Sequence, residues 1–206
     1  MRRISVPLAA GIAALILLAG CATTTAPGSD GPGSSVDLDA IPAPGEVIGQ
    51  GTVLQKDGEG AQLCLGAVAE SYPPQCTGET LAGWDWDAVD GEESASGVTW
   101  GAYAVTGTWD GSVFTTNSAV MLALYDPMPV VDPLTDPANA GDTAEGELLE
   151  LQRQITDDAP FDTLTSWTEN GYLFVQVVYD DGTVQNWVDA AYGVERVAVR
   201  GALRDV

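Results

Sequence analysis

The sequence predicts a β-rich α+β fold in which a small bent β-barrel is followed by a small α-β-β-α-β unit. Two dipeptides, Asp110-Gly111 and Asn170-Gly171, each separate two β-prone runs, a pattern typical of β-hairpins. After Asp142 the apolar residues recur with the longer period of a helix. These observations divide the folded chain into residues 46–125 and 143–206, joined by residues 126–142.

The first folded region contains five β-prone runs separated by turns. Glycines inside these runs, at Gly49, Gly51, Gly101 and Gly107, favour strongly bent strands such as those of a small barrel. The predicted strands cover residues 47–56, 61–69, 81–86, 98–109 and 112–125. The tract of residues 103–114, Tyr-Ala-Val-Thr-Gly-Thr-Trp-Asp-Gly-Ser-Val-Phe, resembles part of an OB-type barrel. That resemblance covers this region alone and implies an OB-like barrel.

Residues 126–142 predict a connector, because four prolines alternate there with four aspartates. Proline at this density opposes helices and central strands, so we expect an extended, semi-rigid segment. Asp126, Asp132 and Asp136 are expected to keep this segment solvated.

The second folded region, residues 143–206, begins with a helix. Asp142-Thr143-Ala144-Glu145 predicts a capping box, and Leu148, Leu151 and Ile155 form one apolar stripe up to about Asp158. The later predicted elements are strands at 161–168 and 172–179, a helix at 183–191 ended by Gly193, and a strand at 194–199.

The N-terminus has the pattern of a secretory signal peptide. Arg2 and Arg3 precede an apolar run over residues 4–19, and Gly20 is a small residue before Cys21. The ending Leu18-Ala19-Gly20-Cys21 resembles the lipobox of bacterial lipoproteins. The resemblance implies removal of residues 1–20 and lipidation of the Cys21 thiol, so that the membrane becomes a partner through the lipid anchor. Residues 21–45, rich in Thr, Ser, Gly and Pro, then predict a disordered tether.

The cysteine count agrees with export from the cytoplasm. Lipidation of Cys21 would leave only Cys64 and Cys76, which are expected to form a disulfide in an oxidising compartment. A CxxC redox motif is absent from the sequence, and two cysteines without any histidine are too few ligands for a zinc site.

The charge excludes several classes of partner. The full chain carries 7 basic and 30 acidic residues, for a formal charge of −23, and cleavage after Gly20 would leave 5 against 30, or −25. Binding to nucleic acid requires a basic surface, so we expect none. Anionic lipid headgroups would repel the chain as well, which leaves attachment to the acyl chains.

The residue types argue against enzymatic chemistry and indicate no cofactor. Without histidine, Ser-His-Asp and Cys-His catalysis are excluded. The one lysine, Lys56, lies beside a predicted exposed turn rather than next to a serine. A hydrolase that uses a pair of carboxylates remains open on residue types alone.

The segment Trp84-Asp85-Trp86-Asp87 is a candidate ligand platform. In a strand, Trp84 and Trp86 would share one face and Asp85 and Asp87 the other, which would place aromatic rings near acids, as in sugar-binding sites. The competing interpretation is that both tryptophans pack at the rim of the core.

The sequence contains one acidic and one basic cluster that are candidate sites. Asp90, Glu92 and Glu93 are suitable ligands for calcium, but their spacing departs from an EF-hand loop and favours a solvated acidic loop, so we expect no metal. Arg196, Arg200 and Arg204 recur every four residues and are expected to pair with acids of the first region. Recognition of a partner's acidic groups is the alternative.

The elements Tyr179-Asp180-Asp181-Gly182 and Ala191-Tyr192-Gly193, with the paired-cysteine β region, resemble a class of actinobacterial lipoproteins that carries no known activity. We therefore expect a non-enzymatic binding or scaffolding module of the cell envelope, lipid-anchored on the extracytoplasmic face of the cell membrane. Its partner would be an envelope protein or a glycan. The alternative is a cell-wall carbohydrate binder or a carboxylate-dependent glycan hydrolase.

Overall fold

The computed structural model describes residues 37–126 and 131–206. The predicted signal peptide, Cys21 and the first part of the tether lie outside these residues. Within them, no helix combines the length and the apolar character that a membrane crossing requires.

Six strands form the first region, and their pairings return to the first strand. The strands are β1 Glu46–Lys56, β2 Gln62–Cys64, β3 Glu79–Ala82, β4 Glu93–Ala95, β5 Val98–Trp109 and β6 Val113–Met121. β1 pairs with β2, β2 with β3, β3 with β6, β6 with β5, and β5 with β1, and β4 pairs with β5 as well. All of these pairings are antiparallel except the one between β3 and β6.

Side chains along the long strands of this region point alternately to a buried inner face and to an outer face, as expected for a sheet that covers a core. Val47 and Val53 of β1 and Tyr103 and Val105 of β5 are fully buried on the inner side. The pairing of β5 with β6 shifts register at Gly107, where an added Cβ would lie 2.0 Å from the carbonyl oxygen of Thr115. The bend at this point therefore requires glycine.

Both predicted hairpins are confirmed. In the first, the Asp110 carboxylate accepts hydrogen bonds from the backbone N–H of Ser112 and Val113, which bridges β5 and β6. In the second, Asn170 and Gly171 both have positive φ (49° and 81°), as a tight two-residue turn requires.

The second region has the predicted order α-β-β-α-β, followed by a short last strand. The elements are α1 Glu145–Asp158, β7 Thr165–Glu169, β8 Tyr172–Val177, α2 Thr183–Tyr192, β9 Val197–Gly201 and β10 Arg204–Asp205. A three-stranded sheet has the order β7-β8-β9, and its parallel strands β8 and β9 are connected by α2, which ends before Gly193 as predicted. β10 leaves this region and pairs with β1.

The two regions share one hydrophobic core. Leu148 of α1, Leu173 of β8 and Leu203 belong to the same buried cluster as Tyr103 and Phe114 of the first region. Contacts group the described residues into one compact unit. The connector at residues 126–142 therefore separates a β-sheet region from an α+β region in the sequence, and the two regions pack on one core.

The predicted tether is wrong over its last residues. Ile41 is buried, its carbonyl oxygen accepts a hydrogen bond from Trp109 Nε1 at 2.9 Å, and Ala43 N–H donates to the carbonyl of Trp109. Composition missed this docking because a few apolar residues among Pro, Gly and Asp are sufficient to anchor the segment: Ile41 is buried in the core, and Leu38 and Ala43 pack against it.

The connector, predicted to be extended and semi-rigid, contains two short turns in the part that the structure describes, residues 131–142. Residues 133–135 and 137–139 form short 3-10 turns, with Pro133 and Pro137 at their starts, where a missing N–H costs nothing. Asp132 and Asp136 are not merely solvated, because their carboxylates accept hydrogen bonds from the backbone N–H of Leu134 and Ala138.

The predicted capping box is not formed at the start of α1. The residue before the helix is Ala144, and no side chain caps the first turn. The apolar stripe is nevertheless confirmed, since Leu148, Leu151 and Ile155 are the buried residues of α1. The helix is therefore positioned by packing rather than by a cap.

Candidate binding site

The predicted disulfide is present, and it holds a loop against the outer face of the first sheet. Cys64 at the end of β2 is bonded to Cys76, with their Cα atoms 6.2 Å apart. Under the loop, Leu54 of β1, Cys64 and Trp100 of β5 form a second buried cluster, separate from the main core. The loop, residues 65–76, therefore covers apolar surface that would otherwise face water.

Tyr72 stands at the tip of this loop. Its side chain is 73% exposed, although its ring meets Trp100 edge-on, with ring centroids 5.1 Å apart. Hydrogen bonds fix the loop on either side: Ser71 Oγ donates to the carbonyl of Pro73, and Ala69 N–H donates to the carbonyl of Gln75. The result is a large exposed aromatic ring on a braced support.

A cleft of about 540 Å³ lies beside this ring. Its size falls within the range that small-molecule sites occupy, roughly 300–1,000 Å³. Lys56 supplies the one cation, and the remaining polar groups are hydroxyls and an amide. The polar lining residues are Lys56, Ser71, Tyr72, Gln75 and Thr77.

A smaller hollow of about 380 Å³ adjoins the cleft, since Pro74 lines both. Thr52, Glu93 and Trp100 contribute to its wall. The two depressions share Pro74 and lie on the outer side of β1 and β5, with apolar, hydroxyl and amide groups and the charged Lys56 and Glu93 in their walls. We call the two depressions together the Tyr72 cleft. An exposed ring with hydroxyl and amide groups around it is suited to a ligand that presents both C–H faces and hydroxyls.

The predicted platform at Trp84 and Trp86 has a different geometry. β3 ends at Ala82, Gly83 turns the chain with φ 72°, and Trp86 begins a 3-10 turn, so the strand predicted over residues 81–86 is too long. The two indoles meet edge-on and both lie against Tyr103, half-buried at the rim of the main core.

The polar atoms of this segment form hydrogen bonds within the protein or, in the case of the Trp84 indole, have no partner among the described residues. Trp86 Nε1 donates to Gln55 Oε1 at 2.6 Å, while Trp84 Nε1 is buried with no hydrogen-bond partner among the described residues. Asp85 accepts from the backbone N–H of Asp87 and caps the 3-10 turn. The arrangement favours packing at the rim, and a ligand platform at these residues stays a prediction.

The acidic loop after this segment is exposed. Asp90, Glu92 and Glu93 all face solvent, and no group of three potential ligands that could hold a metal occurs in the described parts of the chain. Burial of the Tyr103 hydroxyl raises the pKa of Tyr103, and the nearby charges of Glu92 and then Asp90 raise it further.

Two of the three predicted arginines, Arg196 and Arg200, pair with acids, but not with acids of the first region as predicted. Arg196 pairs with Glu147 of α1, and Arg200 pairs with Asp132 of the connector. The Arg200 guanidinium lowers the pKa of Asp132. Over residues 37–126 and 131–206, Arg204 makes no ion pair. The prediction failed because these contacts depend on where α1 and the connector pack, which the spacing of the arginines does not specify.

One group of carboxylates was not predicted. Asp39, Glu79 and Asp162 line a cavity of about 130 Å³, and Asp39 accepts a hydrogen bond from the backbone N–H of Asp162. Burial raises the pKa of Glu79, and the charges of Asp162 and Asp39 raise it further. A raised carboxyl beside two carboxylates is a feature of acid catalysis. The cavity is, however, well below the usual volume of a ligand site.

No family model, no curated protein and no solved structure matches this chain.

Proposed function

We propose that this protein is a non-enzymatic binding module of the cell envelope, lipid-anchored through Cys21 on the extracytoplasmic face of the membrane, and that its ligand is an uncharged glycan. The observation that carries the binding role is Tyr72, an exposed ring held on a disulfide-braced loop above a cleft of ligand size. Aromatic residues that combine large area with few rotatable bonds are favoured at binding surfaces.

The first region is proposed to be an OB-like barrel. Its support is the closed order of pairings β1-β2-β3-β6-β5-β1, with one parallel pair between β3 and β6. The bend at Gly107 and the alternation of buried residues along β1 and β5 are what a small closed sheet needs. Such a frame keeps the outer faces of β1 and β5 rigid beneath the Tyr72 cleft.

Charge and residue types favour an uncharged sugar. A chain with a formal charge of −23 repels polyanions at long range, so an anionic polymer is a poor ligand. The Tyr72 cleft offers an aromatic face to sugar C–H groups, and the Gln75 amide oxygen and the Thr77 hydroxyl offer groups that can bond to hydroxyls or acetamido groups. Ser71 Oγ donates to the carbonyl of Pro73 and accepts from Gln75 Nε2, so it braces the loop. A cleft with only apolar lining residues would favour a more hydrophobic ligand than a sugar.

The binding role is tested by titrating the purified protein, without its first 36 residues, with β-1,4-linked N-acetylglucosamine oligomers by calorimetry. The described residues form one compact unit, so this form is expected to fold. Tyr72→Ala should weaken binding roughly tenfold, since aromatic contacts contribute about 0.5–1.5 kcal/mol beyond area burial. Tyr72→Phe should retain most of the affinity because it keeps the ring.

Trp167→Ala is the matched control. Trp167 is also a partly exposed aromatic residue (38%), but it stacks on Phe174 in the second region, away from the Tyr72 cleft. Binding by the control should equal that of the wild type. Equal affinities for the wild type and Tyr72→Ala would contradict the proposal, as would the absence of binding to any uncharged glycan.

The anchor is tested in cells with Cys21→Ala. Without a thiol to lipidate, the variant should leave the membrane fraction or accumulate unprocessed, because headgroup charge gives this acidic chain no attachment. The folded part should melt at the same temperature as wild type, since Cys64 and Cys76 are already paired. Variant protein that remains processed and membrane-bound would overturn the proposed anchor.

A further inference from the structure

A second cleft, of about 560 Å³, lies between the two sheets and takes one glutamine and one arginine from each. Gln50 of β1 and Arg204 of β10 come from the first sheet, and Gln176 of β8 and Arg200 of β9 from the second. Opposed residues of paired strands share a face, and Gln176 is opposite Arg200 in the register of β8 and β9. We call this hollow the inter-sheet cleft.

The two glutamines in the inter-sheet cleft differ from the other glutamines. The side chains of Gln50 and Gln176 make no hydrogen bond with any described residue, although both are half-buried. The other described glutamines all have side-chain hydrogen bonds; they are Gln55, Gln62, Gln75, Gln152, Gln154 and Gln185. Two half-buried amides therefore present unused donors and acceptors to the same cleft.

The two arginines have different roles there. Arg200 is already committed: it forms a two-point contact with Asp132, Nη1 donates to the carbonyl of Val199 at 2.7 Å, and the guanidinium lies 5.6 Å from the centre of the Phe174 ring. Arg204 is exposed and makes no ion pair within the described residues. Since the Arg200–Asp132 pair is neutral overall, the cleft carries one net positive charge, that of Arg204.

We propose that the inter-sheet cleft binds the terminal carboxylate of a short, otherwise uncharged peptide, with Arg204 on the carboxylate and Gln50 and Gln176 on the adjacent amide groups. A guanidinium offers two parallel donors that match a carboxylate. Primary amides pair with a peptide N–H and C=O in the same way. Leu65 and Ala202 in the wall accommodate a small aliphatic side chain.

The overall charge limits the ligand to few negative groups. One net cation cannot offset the long-range repulsion that a chain with a formal charge of −23 exerts on a polyanion. A single carboxylate, in contrast, meets Arg204 at short range, where screening is least complete. This inference rests on residues outside the Tyr72 cleft, so it stands or falls independently of the proposed glycan ligand.

The test is a titration of the same truncated protein with N-acetyl-alanyl-alanine, followed by calorimetry and by backbone amide chemical shifts. Both the L,L and the D,D forms are used, because the first represents a protein C-terminus and the second a cell-wall peptide. The C-terminal amide of each peptide is the ligand control. Binding by either free acid, with shifts at Gln50, Gln176 and Arg204, supports the site, and the preferred chirality identifies the source of the ligand.

Arg204→Gln should weaken binding about tenfold or more, because the variant replaces charge-assisted hydrogen bonds to the carboxylate with those of a neutral amide. Arg204 lies on a two-residue edge strand and is exposed, so the variant should fold normally. Arg153→Gln, an exposed arginine of α1 outside the cleft, should bind like the wild type. Equal affinity of wild type and Arg204→Gln, equal affinity for acid and amide, or no binding at millimolar peptide would overturn the proposal.

Discussion

The two regions of this protein cover their sheets in different ways. In the second region, helices α1 and α2 place Leu148, Leu151 and Val188 on the sheet, and regular helical packing is sufficient. In the first region an irregular loop covers the outer face of β1 and β5, and a disulfide holds it. The comparison indicates that the covalent bond replaces missing secondary structure, and that the braced loop thereby becomes a rigid support for an exposed aromatic ring.

The shared core predicts that this difference is local and does not make two separately folding domains. Phe114 in the first region and Leu173 in the second are both fully buried. Phe114→Ala should destabilise the protein by about 3–5 kcal/mol and Leu173→Ala by about 2–5 kcal/mol. Each should lower the melting temperature of both regions together, as followed by residue-resolved amide signals. Melting of one region while the other keeps its wild-type transition would contradict a common core.

Removal of the disulfide tests the covalent brace. The double variant Cys64→Ala/Cys76→Ala should lose about 3 kcal/mol of unfolding free energy, because a cross-link over 12 residues restricts the unfolded chain. Urea unfolding measures this loss. Glycan affinity should fall as well, since the loop that carries Tyr72 is no longer held on Trp100. A variant with normal stability and normal glycan binding would show that the loop holds its position without the bond.

Two ion pairs outside the first region, Arg200–Asp132 and Arg153–Glu150, differ in burial. The Arg200–Asp132 pair is more buried (side chains 36% and 24% exposed) than the Arg153–Glu150 pair (68% and 50%). A double-mutant cycle with Arg200→Gln and Asp132→Asn should therefore give a coupling of about 1 kcal/mol, against nearly zero for Arg153→Gln and Glu150→Gln. Equal couplings would remove the argument that Arg200 is fixed by Asp132.

The smallest expected effect concerns Glu79, at the junction of the two regions. Its pKa is raised in the folded protein from the ordinary 4.5, so folding favours the protonated form and the wild type loses stability as pH rises through the folded pKa. Glu79→Gln should raise the melting temperature at pH 7, and the gain should vanish at and below about pH 4.5. A gain that is independent of pH would show that the effect is one of packing.

Local features were predictable from the sequence, whereas contacts between distant segments were not. Asn170-Gly171 and Gly193 carry their conformations in their own residue types, and the pairing of Cys64 with Cys76 follows from the cysteine count. Arg200 meets Asp132 across 68 residues, and nothing in either neighbourhood specifies that pairing.

The candidate sites show the same division. Tryptophan content drew attention to Trp84 and Trp86, but Gly83 ends the strand and the two rings turn to Tyr103. Tyr72 lies in a Pro-rich segment whose residue types indicate an irregular loop but not an exposed aromatic ring. Its exposure depends on how the disulfide folds that loop over Trp100, which is a property of the tertiary structure.

The most direct test of the central claim maps uncharged glycan binding onto the described residues by chemical shift. N-acetylglucosamine oligomers should perturb the amide signals of Tyr72, Gln75 and Thr77, and Tyr72→Ala should remove these shifts while the rest of the amide spectrum keeps the wild-type pattern. Shifts centred on Trp84 and Trp86 instead, or full binding by Tyr72→Ala, would contradict the assignment of ligand binding to the disulfide-braced loop.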